Sequence, residues 1–127
     1  MGRFESRHER VIFVSFLLAA SMAMCGAAVA QSDVARGTKL FAANCARCHG
    51  RGGKGDGSDL IKLQAAVSPD DFTDRETNRE LTDKVIVSMI TRGGEANGKS
   101  RIMPAFGTKL SAQQVRELLA FIRSLPK

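Results

Sequence analysis

Tryptophan and tyrosine are absent from this 127-residue chain, and histidine occurs only twice, proline and cysteine three times each. The lack of Trp and Tyr leaves fewer of the aromatic platforms on which single-stranded nucleic acid is usually stacked. Lys and Arg exceed Asp and Glu by 19 to 13, for a formal charge of +6, yet no Lys/Arg run concentrates that charge. The electrostatic footprint of a nucleic-acid protein is therefore missing. Three cysteines are too few for a disulfide-rich scaffold. No internal repeat and no hairpin signal is present.

The first thirty residues read as an address. Arg3, Arg7 and Arg10 precede VIFVSFLLAASMAMCGAAVA, residues 11–30, which carries no charge and ends in the small-x-small pattern Ala28-Val29-Ala30. This predicts a secretory signal over 1–30. Two alternatives stand beside it: an uncleaved anchor, since twenty uncharged residues can just span a bilayer, and lipidation at Cys25, against which Met24 counts. All three place the folded part, a single small domain over 31–127, outside the cytoplasm, with the periplasm as the expected location. That part carries a net +5 after three arginines and two glutamates are removed. Its acids crowd Asp70, Asp71, Asp74, Glu76, Glu80 and Asp83, and the chain from Lys84 onward is basic; both read first as solvated faces.

Three segments have helical signals. Val34, Gly37, Phe41, Cys45 and Cys48 share one side of a helix from about Asp33 to Cys45, with Ser32 as its cap. Thr82, Asp83 and Gly93 bracket a second helix, although VIVSMI, residues 85–90, has strand-like β-branching. The third is bounded by Ser111 and Gln114 as a capping box, with Leu110 and Val115 as a staple, and carries the stripe Val115, Leu118, Leu119 and Ile122. Ser58 to Ala66 reads as a short helix, and GRGGKGDG, residues 50–57, holds five glycines and reads as loop. The expected class is all-α.

The chemistry gathers in CARCHG, residues 45–50. A structural zinc site needs four ligands, but after loss of residues 1–30 only Cys45, Cys48 and His49 remain. A thioredoxin-like pair needs a preceding strand and a helix start, and here the pair ends a helix. A Cys45–Cys48 disulfide would close a tiny loop and leave His49 idle. Covalent haem uses all three: each thiol adds to one vinyl group, and the adjacent imidazole is carried beneath the iron. Such a macrocycle also supplies apolar core that a small helical chain lacks.

A second axial ligand cannot be histidine, which leaves Met89 and Met103. Met89 falls on the apolar face Val85-Ile86-Met89-Ile90 and reads as core. Met103, in the loop RIMPAFG, is stiffened by Pro104 and released by Gly107, and is the better candidate. Taken together, DVARGTKLFAANCARCHG, MPAFG and SAQQVRELLAFI resemble the class I c-type cytochromes, across nearly all of residues 33–125.

That resemblance implies the small cytochrome c fold, with three main helices wrapped around one covalent haem c, attachment at Cys45 and Cys48, and iron ligation by His49 and Met103. It implies a periplasmic one-electron carrier, not an enzyme, that docks transiently with redox protein donors and acceptors, with no nucleotide or nucleic acid. It also implies packing of Gly37 and Phe41 against the last helix, with Leu118, Leu119 and Ile122 as partners. The family's Trp or Tyr at a haem propionate is missing, which leaves Arg92, Asn97, Lys99 and Arg101 as candidates, and Lys54, Lys99 or Lys109 are candidates to steer an acidic partner. A haem enzyme or gas or peroxide sensor with a labile methionine is an alternative, as is a haem subunit of a larger membrane-associated complex.

GGEANGKS, residues 93–100, also satisfies the phosphate-loop pattern G-x-x-x-x-G-K-[ST]. That chemistry requires a strand before it and a helix from the lysine. Pro104 interrupts such a helix, so the match reads as chance.

Overall fold

The structure, a computed structural model, describes residues 31, 33–63 and 68–127. The expected signal over 1–30, Cys25 within it and the Ser32 cap lie outside the described residues. Helix α1 covers 33–44 and is followed by α2 (Ala46–His49), α3 (Asp59–Lys62), α4 (Arg75–Glu80), α5 (Asp83–Arg92) and α6 (Ala112–Ser124), with a 3-10 turn at Glu95–Asn97. No strand occurs among the described residues. The class is all-α, as the sequence implies, and no described helix is long and apolar enough to cross a membrane.

The helix termini follow their local chemistry. Thr82 Oγ1 accepts from Val85 N–H at the start of α5. At α6, Ser111 Oγ accepts from Gln114 N–H at 3.2 Å, while Gln114 Oε1 accepts from Ser111 N–H at 2.9 Å. Each bond satisfies a donor that a helix start otherwise leaves free. The β-branched stretch in α5 is helical because Ile86 and Ile90, one turn apart, are both buried in the core, and burial outweighs intrinsic propensity.

The core lies where α1 and α5 meet α6. Phe41 is 2% exposed and Leu118 fully buried. Gly37 permits the approach, since a methyl there would lie 1.9 Å from the Glu117 carbonyl oxygen. Phe41 packs on Phe121 with centroids 4.9 Å apart. The expected partner stripe shifts accordingly: Phe121 is buried in the core, whereas Leu119 is only partly covered. Beside this contact Glu117, 5% exposed, accepts from Arg36 Nε at 2.6 Å and Gln113 Nε2 at 3.1 Å.

Three local features differ from expectation. α1 stops one residue early: Cys45 is in a turn, and α2 then carries the rest of the CARCHG cluster. The short helix expected at 58–66 is reduced to Asp59–Lys62, with residues 64–67 outside the described set. Helix α4, within the acidic stretch, has no counterpart among the helices expected from the sequence. Its cap is Asp74, whose carboxylate accepts from Thr77 N–H at 2.8 Å.

Candidate functional site

The CARCHG segment is built as a short helix held from behind by the glycine-rich loop. Cys48 and His49 N–H donate to Cys45 O at 3.1 and 2.9 Å, which winds the cluster. Gly55 N–H then donates to His49 O at 2.9 Å and Gly57 N–H to Cys48 O at 3.1 Å. These are the carbonyls that the end of a short helix leaves unpaired. Gly57 is required for closeness: a Cβ there would sit 2.3 Å from Arg47 O. The five-glycine run is thus a strap that folds back onto the cluster.

The cysteine thiols are not bonded to each other. Burial, and then the neighbouring Cys48, push the Cys45 thiol up to about 11. The imidazole of His49 stacks on Phe72, with centroids 5.2 Å apart and planes at 14°, and lies 6.3 Å from Phe41. Burial lowers its proton affinity, against a smaller opposing effect of Asp70. One ring nitrogen, Nδ1, is buried without any hydrogen-bond partner.

Cys45, Cys48 and His49 line a cavity of about 410 Å³ together with Met89, Met103 and Pro104. Leu60, Leu63, Ile102 and Phe106 make much of the remaining wall. A second cavity, of about 60 Å³, shares His49, Met89 and Met103 and reaches Phe41 and Leu118 in the core. The tertiary structure therefore gathers all four expected site residues, Cys45, Cys48 and His49 from one segment and Met103 from another, at one apolar space. It also brings Met89 there, which the sequence assigns to the core.

Asp59 is a wall residue that sequence reasoning missed. It is 8% exposed and pairs with Arg47 Nη2 at 2.5 Å and Lys62 Nζ at 3.4 Å. Burial alone would raise its carboxyl, but the bonds and charges of Arg47 and Lys62 outweigh that and hold it below the ordinary value. Of the basic and amide residues expected near a propionate, Lys99 lines the cavity, whereas Arg92, Asn97 and Arg101 do not; Lys54 and Lys109 are also away from its wall. At residues 93–100 a helix precedes the glycines and turns follow Lys99, the reverse of a phosphate loop. Among the described residues no group of three or more His, Cys, Asp or Glu is placed to hold a metal ion.

The residues present fit a covalently attached haem. The buried Nδ1 of His49 has no hydrogen-bond partner, which is unusual in a protein interior. The cavity volume lies within the range of cofactor pockets, and its walls are apolar with a few polar groups. Two half-buried thiols stand at that wall.

The family model for cytochrome c matches residues 34–126, and the chain belongs to that family, as a class I c-type cytochrome. The family's cofactor is haem c bound covalently through a cysteine pair, and Cys45 and Cys48 stand in that position. Among its relatives, cytochrome c6 of Leptolyngbya boryana is 33% identical over 92 residues, which cover 72% of this chain and 91% of that protein. Cytochrome c6 of Aphanizomenon flos-aquae is 31% identical over 91 residues, covering 72% and 88%. The cbb3-type cytochrome c oxidase subunit FixP of Azorhizobium caulinodans is 32% identical over 103 residues, covering 80% of this chain but only 31% of FixP. No solved structure gives a significant match.

Proposed function

We propose that the chain is a one-electron carrier working in the periplasm, with residues 1–30 as a removable export signal and 31–127 as its haem domain. Cys45 and Cys48 would form the thioether links to the haem, and His49 and Met103 would ligate its iron. The observation that carries this reading is the convergence of these four side chains, from segments more than fifty residues apart, on one apolar cavity. Bound there, the haem supplies a one-electron ferric/ferrous couple, whose potential thioether ligation raises.

The protein's own groups serve that role in identifiable ways. Burial keeps the His49 ring neutral near neutral pH, the form in which imidazole binds a metal. Stacking on Phe72 restricts its rotation. The apolar wall excludes water, which favours the less charged state of the site. At the cavity wall Leu63 and Ile102 are exposed apolar residues, and Arg47 and Lys99 line the same wall. A small apolar patch with a cationic rim suits brief, weak docking of an acidic redox protein.

Two observations support other readings. Met89 lines the same cavity as Met103, so it is the rival ligand. The likeness to FixP supports a haem subunit of a membrane-associated complex, with 1–30 retained as anchor. The deciding experiment uses protein exported from a host with haem-attachment machinery. Ferrous wild type and Met89→Ala should not bind carbon monoxide, and Met103→Ala should bind it readily. Ready binding by the wild type would overturn the six-coordinate carrier in favour of a gas- or peroxide-binding role. Membrane-bound material with an intact N-terminus would favour the anchored subunit.

A further inference from the structure

Asn97 is a sequence candidate for a haem propionate, yet its side chain is already fully engaged. Its Nδ2 donates to Gly93 O at 2.7 Å and to Ser88 O at 3.3 Å, and its Oδ1 accepts from Ser88 Oγ at 2.6 Å. It does not line the cavity. The bonds instead tie the 3-10 turn Glu95–Asn97 to the last turns of α5.

The same end of α5 receives the chain on the far side of Met103. The last carbonyls of a helix have no intrahelical donors. Here Phe106 N–H donates to Ile90 O at 2.9 Å and Gly107 N–H to Thr91 O at 3.0 Å. Gly94 N–H donates back to Met103 O at 2.9 Å. Met103 is therefore carried on a closed loop whose two feet both stand on α5. Phe106 and Gly107 form one foot through the backbone. The other is the chain's own exit from α5 at Gly93, braced by the side chain of Asn97, with backbone turns at Lys99 N–H to Gly94 O (2.9 Å) and Met103 N–H to Ser100 O (3.2 Å) before the methionine.

We infer that Asn97 is a positioning residue for Met103: by clasping Ser88 and Gly93 it sets the path that delivers the thioether to the cavity and limits how often it leaves. The inference rests on the reading of Met103 as an axial ligand. Without the clasp the near foot of the loop has only backbone bonds, and swinging Met103 outward breaks fewer interactions. The effect belongs to ligand exchange, because Asn97 bonds Ser88 and Gly93 and not the buried core residues Ile86 and Ile90 of α5.

The test is imidazole binding to the ferric, haem-loaded protein, at concentrations where departure of the native ligand limits the rate. The far-red charge-transfer band of thioether-ligated ferric haem is followed in parallel. Asn97→Ala should raise the limiting rate about tenfold, in line with the loss of several hydrogen bonds of modest net worth each. Ser88→Ala, which removes a single bond, should raise it about threefold, and Glu95→Ala, on the exposed side of the same turn, should leave it unchanged. A lower melting midpoint with an unchanged limiting rate would make Asn97 merely structural and overturn the inference. If Asn97→Ala does not accumulate, Ser88→Ala decides alone, and a wild-type rate refutes the clasp. A wild-type protein without the thioether band refutes ligation by Met103 and takes the inference with it, so the two failures are distinguishable.

Discussion

The close approach of α1 to α6 through Gly37 makes a quantitative demand. An alanine methyl at position 37 would lie 1.9 Å from the Glu117 carbonyl oxygen, 2.7 Å from its carbon and 2.9 Å from Phe121 Cβ. Non-bonded carbons settle at about 3.5 Å or more, so the helices must separate by roughly 1.5 Å. Two of the three obstructing atoms are backbone and cannot turn aside. Separation loosens Phe41 against Phe121 and opens the best-packed part of the core. Overpacking of this kind costs about 3 kcal/mol, at the upper end of its usual range, while alanine returns about 1 kcal/mol of helix propensity. The net loss for Gly37→Ala is thus about 2 kcal/mol, or about 10 °C in melting midpoint for a domain of this size. Urea unfolding of the haem-loaded protein, followed by far-ultraviolet circular dichroism, measures it. Gly52→Ala is the control, because the nearest atom to a methyl there is Lys54 Cγ at 3.9 Å; it should change stability by less than about 0.5 kcal/mol. A Gly37→Ala protein as stable as the wild type would refute the tight α1–α6 contact.

Two further perturbations probe the same framework. Ser111→Ala removes the acceptor of Gln114 N–H at the head of α6 and should cost about 1 kcal/mol, read as a lowered urea midpoint with an unchanged slope. The Glu117 carboxyl is held below its ordinary value by hydrogen bonds from Arg36 and Gln113. A lowered folded-state value means the stabilisation is complete above the ordinary glutamate value, about 4.3, and is lost as pH falls through the folded one. Melting midpoints between neutral and acid pH should therefore fall less steeply below that point for Glu117→Gln than for the wild type. Parallel acid limbs would show that Glu117 gains nothing from Arg36.

How much of the site could be read in the chain depended on how local its chemistry is. Cys45, Cys48 and His49 fall within five consecutive positions, so spacing alone carries the signal. Caps such as Thr82 and Ser111 were equally visible, since donor and acceptor stand three residues apart. Phe121 was missed because the i, i+3, i+4 stripe already had enough apolar members, and only the approach of Gly37 selects which of them faces α1. Helix α4 was hidden in an acidic stretch that reads as solvated surface, although Asp74 followed by Thr77 was a signal available for it.

The sequence by itself determined the cofactor chemistry, the helical class and the boundaries of α5 and α6, all of which arise from groups within a few residues of one another. Only the tertiary structure decided that Met89 shares a cavity with Met103, and that Asp59 pairs with Arg47 at its wall. It also showed that Asn97 is committed to Ser88 and Gly93 and has no free amide for a ligand. These facts depend on which surfaces are buried against each other, and burial is a property of the packed helices that no short window of sequence contains.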